Sequence, residues 1–117
     1  MTGPTTATGI PTGGRTVFTG IAANNLPEQY AWSGIGGWFG AELKFAGYDG
    51  FILEGRASGP TYICIEDDKI TFRSARNLWG KKVHDTQAKL EEWHGSKTKS
   101  MVIGPAGENL MRNASIT

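Results

Sequence analysis

The sequence predicts an α+β fold in which short, mainly antiparallel strands accompany two helices. Residues 38–46 and 85–94 carry apolar side chains at the three- and four-residue spacing of amphipathic helices. The 17 glycines among 117 residues indicate many turns and short strands. Short apolar runs separated by polar turns predict hairpin-like connections, which are typical of antiparallel sheets. Because no repeat or low-complexity segment stands out, we treat residues 1–117 as a single unit.

The N-terminal part of the chain is predicted to be a loop followed by one strand. Residues 2–12 are rich in threonine, glycine and proline and show no apolar period, as loops do. Residues 16–19 are a short strand candidate. Residues 21–30 are interpreted as a connector, because Pro27 is unsuited to a central strand.

A glycine-rich loop that leads into the first helix is the most distinctive local feature. Three glycines precede the helix that is predicted from Trp38, namely Gly34, Gly36 and Gly37. Free N–H groups at a helix N-terminus favour an anion such as phosphate, and Gly47 is placed to end the helix. The loop lacks the dinucleotide-binding fingerprint, because Phe39 stands where its third glycine belongs. A tight turn that packs a helix against a sheet explains the loop equally well.

The second half of the chain is predicted to alternate strands and turns around the second helix. Residues 50–55 have the short apolar run of a buried strand, and residues 61–65 and 69–73 predict a hairpin. Asp85 or Thr86 is expected to cap the second helix, and Gly95 to end it. Further strands are predicted at 100–103 and 110–116, with a turn at 104–107. Trp79 is expected to cover the core as a lid.

Few side chains are candidates for catalysis, and the sequence names no catalytic residue. The single cysteine, Cys64, excludes an internal disulfide and a cysteine-based zinc or iron–sulfur site built by this chain alone. We expect Cys64 to be a small packed thiol, and His84 and His94 to be surface residues. Glu108 stands in a predicted turn, where it is expected to hold backbone N–H groups.

Charge and hydropathy exclude several classes of partner. The net charge of +1, with lysine and arginine spread along the chain, gives no electrostatic case for nucleic acid or for an anionic membrane. We see no signal peptide and no apolar run long enough to span a bilayer. The expectation is a soluble, cytoplasmic chain.

Several sequence blocks resemble the tungsten-containing aldehyde:ferredoxin oxidoreductase family. Residues 36–50 (GGWFGAELKFAGYDG) are similar to its signature, and residues 11–15 (PTGGR) precede them. Three further blocks follow in the family's order, at 78–82, 103–110 and 114–116. The resemblance implies that residues 1–117 are a partial N-terminal domain, truncated at both ends. Its sheets would form a base under a tungsten bis-pterin cofactor.

The resemblance also implies an activity and a set of cofactor contacts. An aldehyde would be oxidised to a carboxylate at tungsten, and electrons would leave through a [4Fe-4S] cluster, with ligands outside this chain, to ferredoxin or another electron-transfer protein. Arg15 would lie between pterin and cluster. The backbone from Gly34 through Ile35 and Gly36 to Gly37 would meet pterin phosphate and magnesium. Gly34, where the family commonly has asparagine, would offer its main-chain carbonyl to the magnesium.

Two alternatives stay open at this point. The same scaffold also serves relatives that act on formaldehyde, glyceraldehyde 3-phosphate or aromatic acyl-CoA thioesters, and nothing in the sequence selects a substrate. The other alternative is a non-catalytic anion- or phosphate-binding module. We expect the segment by itself to be inactive and free of tungsten, and to act with the remaining domains of a parent enzyme. A homo-oligomer is also left open.

Overall fold

The computed structural model describes residues 1–22 and 25–117, and these residues form two short antiparallel sheets and three helices. The elements in chain order are β1 (Thr16–Ala22), β2 (Gln29–Ile35), α1 (Phe39–Phe45), β3 (Thr61–Glu66), β4 (Lys69–Ser74), α2 (Val83–His94) and α3 (Pro105–Glu108). Strand β1 pairs with β2, and β3 pairs with β4. The predicted α+β class with antiparallel strands is therefore confirmed. Residues 23 and 24 of the predicted connector lie outside the described residues.

The described residues divide into two compact units. The first comprises Met1–Phe18 and Gly34–Asn77, and the second comprises Thr19–Ser33 and Leu78–Thr117. Each unit has a small set of buried apolar side chains. They are Ala41, Leu43 and Ala75 in the first unit, and Leu78, Leu90 and Val102 in the second. None of the helices in residues 1–22 and 25–117 combines the length and the apolar character that crossing a bilayer demands.

The two strongest local predictions, the hairpin and the end of the first helix, are confirmed. In the hairpin, Glu66 pairs with Lys69, which leaves a two-residue turn whose first residue, Asp67, has a φ of 51°. Helix α1 ends in a Schellman motif, in which the N–H of Gly47 donates to Lys44 O at 2.9 Å. Gly47 has a φ of 91°, which favours glycine.

Helix α2 begins two residues earlier than the sequence predicts. Lys82 occupies the N-cap position, and the N–H of Thr86 already donates to Lys82 O at 3.0 Å. The prediction that Asp85 or Thr86 caps the helix is therefore wrong, and Thr86 is instead buried within the second unit. The prediction that Gly95 ends the helix is confirmed, because its N–H donates to Glu91 O and its φ is 96°.

Strand predictions based on apolar runs alone fail in three places. Residues 50–55 form no strand, and Ile52 is 86% exposed, because this run pairs with no other strand of the described residues. The strands predicted at 100–103 and 110–116 reduce to a single antiparallel bridge between Ile103 and Ile116. The predicted turn at 104–107 contains most of the short helix α3.

Two further predictions need correction. Residues 29 and 30, which were assigned to a connector, begin strand β2, and β2 continues through Gly34 to Ile35. Trp79 is no lid, because it is 50% exposed while its neighbour Leu78 is buried.

The carboxylate of Glu108 has the structural role that the sequence predicts for it. It accepts a hydrogen bond from the N–H of Gly80, with distances of 3.0 Å to Oε1 and 2.8 Å to Oε2. Gly80 has a φ of 82°, in the left-handed region. The carboxylate therefore ties the last residue of helix α3 to the turn at Gly80 in the second unit.

Replacing Leu43 by alanine tests the core of the first unit. Leu43 is buried, so Leu43→Ala should lower the free energy of unfolding by about 3 kcal/mol, through lost apolar contact and the cavity left behind. Leu53→Ala makes the same chemical change at an exposed position and should cost less than about 0.5 kcal/mol. Denaturant unfolding followed by tryptophan fluorescence gives both values. Equal losses would contradict the described core.

Replacing Glu108 by alanine tests its bond to Gly80. The Gly80 amide should exchange its hydrogen with solvent faster in Glu108→Ala, and the chain should lose about 1 kcal/mol of stability, since a partly exposed charged acceptor is removed. Glu108→Gln keeps one acceptor oxygen, so its Gly80 exchange rate and its stability should lie between those of the unaltered chain and those of Glu108→Ala. Glu91→Ala, at an exposed position of α2, is the control. Unchanged Gly80 exchange in Glu108→Ala would rule out the bond.

Candidate functional site

The five residues predicted to bind the cofactor all fall in the first unit. Arg15 directly precedes β1, Gly34 and Ile35 end β2, and Gly36 and Gly37 connect β2 to α1. Because β1 and β2 are paired and antiparallel, the start of β1 lies beside the end of β2. The structure thereby brings together residues that are about twenty positions apart in the sequence.

The side chain of Arg15 lies against the main chain of Gly34. A Cβ atom placed on Gly34 would stand only 3.0 Å from Cδ of Arg15 and 3.3 Å from its Nε. Arg15 is exposed, and its guanidinium forms no hydrogen bond or ion pair with any residue in 1–22 and 25–117. Its N–H donors are therefore available to an anion from outside the chain.

The loop beside this arginine presents bare backbone. Gly36 and Gly37 are exposed, and a Cβ atom on either would meet nothing within 4 Å. Gly37 also has a φ of 93°, a conformation that other residues rarely adopt. Ile35 is half-buried. A ligand can therefore approach the main chain of this loop closely, as an anion or a carbonyl-bound cation requires.

An open cleft of about 220 Å³ adjoins the loop within the same unit. Gly37 and Trp38 form part of its wall, together with helix residues Ala41 and Phe45 and several residues between positions 7 and 14. Pockets that enclose a drug-sized ligand usually measure ~300–1,000 Å³. This unit can therefore supply only one wall of a site for a large cofactor.

The 7–14 segment was predicted only to be a loop, so its part in the cleft was missed. A signal was present in the PTGGR block, because Gly14 lies close to the glycine loop. A Cβ atom on Gly14 would stand 3.4 Å from the carbonyl oxygen of Gly37. The two glycine segments therefore approach each other through their backbones.

The arginine and the glycine loop are held in place by a contact between Thr16 and Gly40. Both residues are buried, and a Cβ atom on Gly40 would overlap Oγ1 of Thr16. That hydroxyl has no hydrogen-bond partner among the described residues. Thr16 directly follows Arg15, and Gly40 lies in the first turn of α1, just after the loop. The contact therefore fixes the position of the arginine relative to the loop.

Cys64 has the environment of a packed thiol. Burial raises the pKa of Cys64; the positive charge of Arg73 opposes this shift, and Glu66 adds to it. The thiol donates to Oε1 of Glu66 at 3.7 Å. Cys64 is therefore a protonated thiol at neutral pH, unlike a reactive cysteine.

The two histidines differ in exposure. His84 is exposed near the start of α2, as expected. His94, at the end of the same helix, is half-buried and is therefore less accessible than the surface residue that the sequence predicts.

Comparison with known proteins gives the family. The sequence profile described as "Aldehyde ferredoxin oxidoreductase, N-terminal domain" matches residues 1–117. The chain is 48% identical over 115 residues to the tungsten-containing aldehyde ferredoxin oxidoreductase of Pyrococcus furiosus, and the match covers 97% of the chain. It is 47% identical over 116 residues to the protein of the same name from Pyrococcus horikoshii, with 98% of the chain covered.

A relative whose name gives a different activity also matches. The chain is 40% identical over 90 residues to the aliphatic sulfonate oxidoreductase WOR-like subunit of Pyrococcus furiosus, which covers 66% of the chain and 14% of that protein. The chain spans 19% of the length of each of the two tungsten-containing relatives. The match over all 117 residues, at this identity, shows that the chain belongs to the aldehyde ferredoxin oxidoreductase family and corresponds to its N-terminal domain.

Proposed function

We propose that this chain forms one wall of the cofactor cradle in a tungsten-dependent oxidoreductase that converts aldehydes to carboxylates. The names of the relatives support tungsten and an aldehyde substrate. The observation that carries the proposal is the exposed guanidinium of Arg15, which pairs with none of the described residues; its side chain lies against Gly34, beside an open glycine loop. The chain spans only 19% of the length of this tungsten-containing relative, so other domains of a longer protein would complete the site.

The donors present fit a phosphorylated pterin. Arginine binds phosphate through its planar fork of N–H groups, and exposed glycine backbone lets phosphate oxygens approach closely. The main-chain carbonyl of Gly34 is an oxygen ligand of the type that magnesium prefers. Ile35, which is half-buried, would take part through its main chain only. The wall is therefore suited to binding and orienting the phosphate end of a cofactor.

This chain's residues would position the cofactor, and the bound tungsten would supply the two-electron oxidation. Arg15 would donate to the pterin on one side and face a [4Fe-4S] cluster on the other. The cluster ligands would come from outside residues 1–117, because the single cysteine of the chain cannot hold a cluster. Electrons would then pass to ferredoxin or to another electron-transfer protein.

A second candidate is the same scaffold with another substrate. The similarity to an aliphatic sulfonate oxidoreductase subunit favours this alternative, since that relative is named for a different activity. Glyceraldehyde 3-phosphate and aromatic acyl-CoA are further candidates. Turnover of the longer protein with a panel of aldehydes, sulfonates and thioesters distinguishes them, because only the true substrate class should give saturable kinetics.

Replacing Arg15 in the longer protein tests the cradle. Arg15→Ala should reduce bound tungsten and pterin or lower kcat by at least about tenfold, since a charge-assisted hydrogen bond to the cofactor is lost. Arg15→Lys should have intermediate cofactor content and kcat, because lysine keeps the positive charge but lacks the planar fork of N–H donors. Tungsten is measured by elemental mass spectrometry, and the cluster by its absorption spectrum.

Arg76→Ala serves as the matched control for this experiment. Arg76 is an exposed arginine of the same unit, outside the candidate site, so its removal should leave cofactor content and kinetics unchanged. If Arg15→Ala behaves as Arg76→Ala does, Arg15 has no role in the cradle and the proposed function loses its main support.

A further inference from the structure

We infer that Gly34 is a positioning residue that acts through Arg15, in addition to any contact of its own carbonyl with metal. The missing side chain at position 34 is what allows the arginine to lie against the end of β2. This inference rests on the proposed function, because the arginine is taken to hold the anionic end of the cofactor.

The contact involves the stem of the arginine as well as its charged end. A Cβ atom on Gly34 would stand 3.4 Å from Cγ, 3.0 Å from Cδ and 3.3 Å from Nε of Arg15. Non-bonded carbon atoms prefer separations of about 3.5–4.0 Å, so the smallest side chain at this position would require the arginine to shift by a few tenths of an ångström, and a larger one by more. The flexible side chain would move more readily than the paired strand, and the guanidinium would change its place.

Backbone conformation gives no other reason for glycine at position 34. Gly34 is not among the glycines with positive φ, and it lies in a regular strand. Glycine within a strand costs roughly 0.5–1 kcal/mol relative to alanine, because it loses more conformational freedom on folding. Glycine at position 34 has this cost in stability, and it leaves room for the close contact with Arg15.

The contact also reduces the disorder that ligand binding must remove. An arginine side chain carries about 2 kcal/mol of rotamer entropy, and part of it is already lost when the stem lies against a strand. A group that is positioned before binding contributes more to affinity than one that becomes ordered on binding. Gly34 therefore lets the stem of Arg15 lie against the end of β2, two residues before Gly36, before the cofactor arrives.

A matched control exists in the neighbouring strand. Gly20 is an exposed glycine of β1, it does not have positive φ, and a Cβ atom on it would meet nothing within 4 Å. Gly20→Ala makes the same chemical change as Gly34→Ala without touching the arginine. It should leave both measurements described below unchanged.

The first measurement needs no cofactor. In the longer protein freed of cofactor, phenylglyoxal labels accessible arginines, and mass spectrometry gives the rate at Arg15. We expect Gly34→Ala to change that rate at least twofold, since the stem of the arginine must shift away from position 34, and Gly20→Ala to match the unaltered protein. Equal labelling in Gly34→Ala and Gly20→Ala would overturn the inference.

The second measurement is a double-mutant cycle on the rate of tungsten loss during dialysis. Gly34→Ala should accelerate loss about tenfold when Arg15 is present, which is the effect of weakening one charged hydrogen bond. It should have less than about a twofold effect in the Arg15→Ala background, because it acts through the arginine. Equal acceleration in both backgrounds would overturn the inference.

The outcomes also separate this inference from the proposed function. If Arg15→Ala accelerates tungsten loss while Gly34→Ala does not, the cradle stands and the positioning role of Gly34 is refuted. If Gly34→Ala alters labelling of Arg15 but neither variant affects tungsten loss, the contact between the two residues stands and the proposed function fails.

Discussion

Helix α1 approaches the start of strand β1 at Gly40, whose missing side chain leaves room for the side chain of Thr16. The hydroxyl of Thr16 occupies the space where a Cβ atom of residue 40 would stand, and Thr16 is 2% exposed. On its other side Thr16 forms an antiparallel bridge with Thr2. This small, closely packed contact positions the two ends of the candidate site, since Arg15 directly precedes Thr16 and the glycine loop directly precedes the helix. The site thus depends on close packing of the Thr16 side chain against the main chain of α1, which glycine at position 40 makes possible.

The described residues bury few large apolar side chains and expose many. Trp32, Trp38, Phe45 and Phe72 are each more than 60% exposed, while the buried apolar residues are mainly alanine, valine and leucine. Large apolar side chains that are exposed in this way can contact other protein or a ligand. It agrees with a domain that corresponds to 19% of its longer relatives. The open cleft beside the loop, with exposed Trp38 and Phe45 on its wall, has the same character.

Elements that depend on local rules were predictable from the sequence. The hairpin around Asp67 and the end of α1 at Gly47 follow from turn chemistry and helix termination. The sequence also predicted that Glu108 holds backbone N–H groups, but it did not show that the partner is Gly80, 28 positions away. Elements that need a partner from a distant part of the chain were not predictable from the sequence. Residues 50–55 have the composition of a strand but pair with no described strand, and an apolar run cannot show whether a partner exists.

In the candidate site, too, local features were predictable and a contact between distant residues was not. Sequence patterns predicted a glycine loop before a helix, and family resemblance added Arg15. Neither showed that Arg15 lies against Gly34, because this contact depends on the pairing of β1 with β2. Strand β2 was missed since Pro27 and three nearby glycines argued for a connector and a loop. Register between strands is a tertiary property, and it decided which side chain meets which backbone.

The most direct test of this account is a structure of the longer protein with its cofactor bound. The account predicts that a phosphate oxygen of the cofactor lies within hydrogen-bond distance, about 2.7–3.2 Å, of the Arg15 guanidinium or of the main chain at Gly36 and Gly37. A structure in which another protein segment covers that loop, with Arg15 paired to a protein carboxylate and the cofactor elsewhere, would contradict it.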